Sequence, residues 1–254
     1  MPSVAGGAQA FYDCLAPDYH LIFEDWDRSL LRQGRALTAI LRSQAPQALS
    51  VLDLACGIGT QALALAKKGY QVTAEDLSPV SVARAKREAK RRGLTLHFGV
   101  GDMRRAASRH AGAFDVVLAC DNSLPHLLND RAILKAFKQA RACLKPGGLY
   151  LISVRDYAQE PKQGGHFRPY GIRKPPGGQV TLFQTWSFRG PLYDLSFYKI
   201  RERTGRPPQL SVSKTTCYAV TTTRLMALMR QAGFAKVQRL DDAFYQPVLI
   251  GRAL

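Results

Sequence analysis

Between residues 50 and 155, short apolar runs of strand length alternate with stretches whose apolar positions recur at helical spacing. Val51, Leu52 and Leu54 end abruptly at a small glycine-rich turn over 55–59, and a helical pattern runs from Thr60 to Lys68. A strand over 71–76 leads into a helix signalled at both ends. Ser78 is its N-cap, Pro79 its first helical position and Gly93 its stop. Strands over 94–100 and 114–120, a helix over 130–143 and a strand over 149–154 continue the alternation. Repeated βα units with short connections predict an α/β fold with a doubly wound parallel sheet and right-handed crossovers.

Residues 156–210 break this rhythm. Prolines and glycines (Pro161, Gly164, Gly165, Pro169, Gly171, Pro175, Pro176 and others) separate three segments rich in β-formers, VTLFQTWSF, LYDLSFYKIRE and SVSKTTCYAV. The pattern predicts a two- or three-stranded antiparallel insertion over the carboxyl edge of the sheet, acting as a lid. A helix over 221–232 and two apolar strands, FAKVQRL and YQPVLIGR, then resume the α/β pattern. A final reversed strand pair would complete a seven-stranded mixed sheet. The chain thus divides into an N-terminal helical cap (1–45), a core (46–155 and 216–254) and the antiparallel β insertion (156–215).

The 254 residues suit one large α/β domain with an elaboration, and 46% hydrophobic content is ample for a core. No apolar run approaches the ~20 residues of a membrane span, and the N-terminus lacks the regions of a signal peptide. Five scattered cysteines without a CxxC pair read as reduced thiols of a cytoplasmic protein, with neither a disulfide framework nor a metal site. The formal charge of +17 changes the picture more. Its densest run, RAKREAKRRG at 84–93, is either a solvated helix face or the footprint of an anionic partner.

The turn over 53–59 has neither the third glycine of a dinucleotide site nor the lysine of a phosphate-binding loop. Asp76, nineteen residues after Gly57, suits hydrogen bonding to ribose hydroxyls. At the end of the third strand, Asp102 and Met103 suit an adenine, carboxylate to amine and thioether to ring.

In the order VLDLACGIGT, AEDLSP, GDMR, FDVVLACDNSLPHL and LKPGG, residues 50–155 resemble the class I S-adenosylmethionine-dependent methyltransferases. Ala55 departs from the glycine often found there. Three further segments are similar to the glycine/sarcosine N-methyltransferase group: FYDCLAPDYHLIFEDWDRSLLRQ, the DNSLPHL motif, and Arg155-Asp156-Tyr157. The resemblance implies a Rossmann-like methyltransferase fold and S-adenosylmethionine as cofactor. It places Ala55, Gly57, Gly59, Leu77, Cys120 and Asn122 beside that cofactor and pairs Arg32 with its carboxylate. Asp53 is either a carboxylate satisfying turn N–H groups or a contact for the cofactor ammonium. Tyr19 and Trp26 are either core packing or aromatic faces over the sulfonium. His126 and Tyr157 are candidate proton acceptors. Arg155, immediately past a buried strand, needs an anion: a substrate carboxylate, or a salt bridge with Asp156 or Glu160.

The function expected is methyl transfer to the nitrogen of a small amine or amino acid bearing a carboxylate. Alternatives are a small-molecule O-methyltransferase, a nucleic-acid methyltransferase, or a non-catalytic cofactor-binding regulator. The charge favours nucleic acid, but DNSLPHL stands where an amino-methylating nucleic-acid enzyme usually has a [DNS]-P-P-[YF] tetrapeptide. The oligomeric state stays open, a homo-oligomer included.

Overall fold

The computed structural model describes residues 4–5, 7–161 and 165–254. The first residues of the expected cap (1–3 and 6) and Gly164 of the expected insertion lie outside the described residues. The chain begins with β1 (Val4–Ala5), α1 (Ala8–Leu15), a 3-10 turn (Tyr19–Ile22) and α2 (Trp26–Gln44). The alternating part comprises β2 (Ser50–Asp53), α3 (Thr60–Ala66), β3 (Gln71–Asp76), α4 (Pro79–Arg91), β4 (His97–Val100) and α5 (Ala107–His110). It continues through β5 (Phe114–Ala119), α6 (Asp130–Cys143) and β6 (Leu144–Ser153). Four long strands follow: β7 (His166–Arg173), β8 (Gly178–Arg189), β9 (Leu192–Arg203) and β10 (Arg206–Tyr218). The chain closes with α7 (Thr222–Gln231), β11 (Phe234–Leu240) and β12 (Val248–Ala253).

The main sheet has seven strands in the order β11-β12-β6-β5-β2-β3-β4. β2 pairs in parallel with both β3 and β5, so the strand order reverses beside it. Ligands of open α/β sheets bind outside the carboxyl ends of the strands at such a switch point. The expected reversed pair is a single reversed strand, because β12 is antiparallel to both β11 and β6. The crossover through α7 returns β11 to the direction of the other strands, and β12 fills the gap. The signals on α4 act as expected, with Ser78 Oγ accepting from the N–H of Ser81 and Pro79 opening the helix.

The second sheet is larger than the two or three strands expected. Its order is β1-β10-β9-β8-β7. The segment HFRPYGIR, outside the three β-rich segments expected, forms the edge strand β7. Pro169 is tolerated there because an edge strand has a free side, and Gly171, at φ +96°, sits at a register shift. On β8 and β9 the inward positions alternate (Val180, Leu182, Gln184, Trp186; Tyr193, Leu195, Phe197), as period-2 geometry requires. The apolar ones join Leu54, Val154 and Tyr157, just past the carboxyl ends of β2 and β6, in one apolar core. The second sheet therefore packs over the carboxyl edge. No helix among the described residues is long and apolar enough to cross a membrane.

Candidate active site

β2 ends at Asp53 and the chain turns through Gly57 and Gly59, both at positive φ (+54° and +98°), into α3. The two glycines serve different ends. A Cβ on Gly57 would meet no heavy atom within 4 Å, so its backbone faces open space. A Cβ on Gly59 would touch the Leu63 side chain at 3.0 Å and Ala85 at 3.3 Å, so Gly59 permits close packing and does not line the cavity. That cavity, about 370 Å³, is lined by Ala55, Gly57, Asp76, Leu77, Asp102 and Met103, with Cys120 and Tyr19 beyond them.

Asp76 accepts the N–H of Gly57 on one oxygen and that of Ser78 on the other, both at 2.8 Å. A carboxylate has about four lone-pair sites, so two remain for a ligand. Burial raises its pKa, against the pull of those N–H groups. Asp102 is held by its neighbour Arg104, through Nε at 2.9 Å and Nη2 at 2.6 Å. Asp53 accepts the N–H of Ala55, while its Oδ2 is buried without a partner; burial raises its pKa to about 7.

A second cavity, about 450 Å³, meets the first at a wall formed by Tyr12, Tyr19, Asp121 and His126, which line both. The Tyr12 hydroxyl lies 3.0 Å from His126 Nε2, and Cys217 Sγ lies 3.8 Å from Nδ1. Burial lowers the His126 pKa to about 4, so the imidazole is neutral near pH 7. After β5 the chain enters a left-handed pair, Asp121 at φ +56° and Asn122 at φ +64°. Such a conformation costs roughly 1–2 kcal/mol per residue for an L amino acid. Ser153 holds the pair, its Oγ accepting the N–H of Asp121 and its carbonyl that of Asn122. Asn122 Oδ1 also accepts the N–H of Arg155.

The guanidinium of Arg155 lies 4.6 Å from the ring centre of Trp186, on the wall of the second cavity, and that of Arg168 lies 4.1 Å from the same ring. Of the two salt-bridge partners considered for Arg155, Asp156 is paired with Arg239 at 2.7 Å. Glu160 is 3.7 Å away and pairs more closely with Arg168. Two arginines thus share one carboxylate.

Besides Gly59, four expectations need correction. Trp26 lines neither cavity; it is buried, its Nε1 donating to Thr60 Oγ1 at 2.9 Å, with Arg92 over its ring. Arg32 is exposed and borders the second cavity, away from the first. Asn122 also faces the second cavity, because the left-handed pair turns its side chain away from the first. Tyr157 is fully buried and lines neither cavity. Its hydroxyl takes the amide proton of Asn122 and lies 2.7 Å from Tyr193 Oη, and burial pushes its pKa up to about 12. Sequence reasoning passed over Asp121, although it stands inside the DNSLPHL motif. It also passed over Tyr170, Trp186, Tyr193 and Phe197, whose signal was only the alternation of the lid strands.

Residues 51–148 match the family described as a methyltransferase domain. Over these residues the chain carries a methyltransferase domain. The cofactor of such a domain is S-adenosylmethionine. A glycine/sarcosine N-methyltransferase of Parasynechococcus marenigrum (strain WH8102) is 33% identical over 133 residues, 52% of this chain and 46% of that protein. A ubiquinone biosynthesis O-methyltransferase of Xanthomonas axonopodis pv. citri (strain 306) is 35% identical over 109 residues, 43% of this chain and 44% of that protein. The chain spans about half the length of these curated relatives. The likeness in fold runs further. SAM-bound CalS10, an amino pentose methyltransferase from Micromonospora echinaspora, superposes with a TM-score of 0.79 at 16% identity, covering 94% of this chain and 95% of its own.

The methyltransferase domain's residues suit that cofactor. The bare backbone at Gly57 allows close approach, Asp76 has acceptor sites left for ribose hydroxyls, and Leu77 and Met103 offer apolar surface to a base. Asp53 lines neither cavity and its unpartnered Oδ2 is fully buried, so of its two expected roles the structure favours the carboxylate that satisfies the turn.

Proposed function

We propose that this chain transfers a methyl group to the nitrogen of a small amine that also bears an anionic group, an amino acid being the simplest case. The observation that carries this reading is the second cavity. It meets the cofactor cavity at the Tyr12–Tyr19–His126 wall and is lined by Arg155, whose one ion-pair partner among the described residues, Glu160, is shared with Arg168. Such an arrangement leaves positive charge for a substrate carboxylate to meet. Tyr12, Tyr19, Tyr170 and Trp186 surround the rest of the cavity, and aromatic faces attract a substrate ammonium. The similarity to a glycine/sarcosine N-methyltransferase points the same way.

When bound, S-adenosylmethionine supplies an electrophilic methyl group and needs no further activation. The work of the protein is alignment and exclusion of water. Tyr12, packed edge-on against both Tyr19 and His126 at the junction, restricts the path between the cavities. Trp186 and Tyr193 stack at 4.6 Å and fix the far wall.

A second reading, transfer to a hydroxyl, draws on the similarity to a ubiquinone biosynthesis O-methyltransferase. Incubating the protein with S-adenosylmethionine and a panel of glycine, sarcosine, larger amino acids, ethanolamine and catechols separates the two, with S-adenosylhomocysteine as the readout. Amino acids are expected to turn over, and ethanolamine more weakly. Methylation of catechols with no amine turned over would replace the proposal with the second reading.

A further inference from the structure

Among the described residues, Asp121 is the one acidic side chain that lines both cavities. It holds that place in a backbone conformation glycine would adopt far more readily. Strain of this kind persists only where the surroundings enforce it, and it gathers at functional sites. One carboxylate oxygen accepts the hydroxyl of Tyr245 at 2.6 Å, and the other has no hydrogen-bond or ion-pair partner among the described residues. Arg155 makes no ion pair with it and reaches towards Glu160 and Trp186; burial raises the Asp121 pKa against the pull of Tyr245 and of the Arg155 charge. A carboxylate with one open oxygen thus stands at the boundary across which a methyl group must pass.

The other candidates for this task are already engaged. Both ring nitrogens of His126 have neighbours, the Tyr12 hydroxyl and Cys217 Sγ, and burial keeps the ring a weak base. The phenols of Tyr12 and Tyr19 are pushed well above their ordinary range by burial. Tyr157 is sealed behind Asn122.

We propose that Asp121 is a catalytic residue: its open oxygen holds the substrate ammonium and takes one of its protons. The inference rests on the amine reading above. An N–H bond breaks, the proton moves to the carboxylate, and the nitrogen keeps the electron pair. That pair forms the bond to the methyl carbon as sulfur leaves with its own pair. The carboxylic acid of Asp121 then gives its proton to water, and the carboxylate is restored.

Asp121→Asn tests this, since asparagine tolerates the left-handed conformation and keeps an acceptor for Tyr245. With the amine of the panel that the wild type methylates fastest, kcat/KM is expected to fall about 100- to 10,000-fold, the range for loss of general-base assistance. Calorimetric affinity of that amine for protein saturated with S-adenosylhomocysteine is expected to fall at least tenfold. Affinity for S-adenosylmethionine itself should stay within threefold, which also reports that the variant folds. A wild type that methylates amines alongside a variant that does so equally well removes Asp121 alone. An equal loss of S-adenosylmethionine affinity assigns Asp121 to the cofactor and overturns the inference. A wild type that methylates no amine removes the proposed function itself.

Discussion

The two cavities differ in how far their charged groups are already satisfied. In the cofactor cavity Asp76 holds two main-chain N–H groups and Asp102 is clamped by Arg104. Their geometry is set before any ligand arrives, so a neutral hydroxyl or amine can bind with little rearrangement. In the acceptor cavity Asp121 has an open oxygen, Arg155 shares Glu160 with Arg168, and Arg32 stands exposed at the rim. Here charge is left for the ligand to complete. One half is a fixed cradle, and the other selects by what its ligand must bring.

The hardest test of this division is Trp186→Ala. Trp186 is 2% exposed, stacks on Tyr193, donates from Nε1 to Gln184 at 3.0 Å, and carries both arginines on its face. Removing a buried tryptophan costs roughly 3–5 kcal/mol. Urea denaturation should show a loss of that order, and the KM of the acceptor should rise with it. Affinity for S-adenosylmethionine, measured well below the unfolding transition, should stay within twofold. If it falls as far as acceptor affinity does, the two halves are not separable.

The same division governs what could be read from the chain. The cofactor half is built at the ends of parallel strands, where a few adjacent residues both make the turn and face the ligand. Asp76, Asp102 and Met103, singled out by local chemistry, therefore line one cavity together with Gly57 and Leu77, which the family resemblance supplied. Within that half, Gly59 packs against Leu63 instead, because one glycine turn holds both a ligand-facing and a core-facing position. The acceptor half comes from residues as far apart as Phe11 and Pro247, and no local pattern records that they meet. Trp26 shows the limit well. Helical spacing puts an aromatic on an inward face without saying whether a ligand or Thr60 lies there. Pro169 and Gly171 hid β7, since punctuation that ends a central strand is permitted on an edge.

A pair of substitutions of intermediate size sharpens the contrast. Asp76→Ala removes acceptors for ribose hydroxyls, and Arg155→Met removes the cation from the second cavity while keeping much of its packing. Hydrogen bonds to charged groups contribute about 1.5–3 kcal/mol, roughly ten- to hundredfold in affinity. Asp76→Ala is expected to weaken S-adenosylmethionine by that factor and leave the acceptor KM near its wild-type value. Arg155→Met should do the reverse for a carboxylate-bearing acceptor and have little effect on ethanolamine. Calorimetry for the cofactor and initial rates for the acceptor read both. Equal effects of Arg155→Met on the two ligands would remove its role as a carboxylate clamp.

The smallest effect probes the shared wall. The pKa of His126, about 4 in the folded chain, lies below the ~6.5 of an unfolded histidine, and burial is the cause. Between these values the unfolded chain binds more protons, so stability falls as the pH drops through this window and is regained as it rises. From pH 7.5 to pH 6 the loss amounts to about 1 kcal/mol, and it grows further toward pH 4. His126→Gln abolishes the titration and retains a partner for the Tyr12 hydroxyl. The difference in unfolding free energy between wild type and variant should therefore change by about 1 kcal/mol over that interval, read from urea midpoints at the two pH values. A difference that stays constant would mean that water reaches the imidazole and that burial does not hold it neutral. A changing one means that the ring on the shared wall is neutral near pH 7, leaving charge recognition to the groups around it.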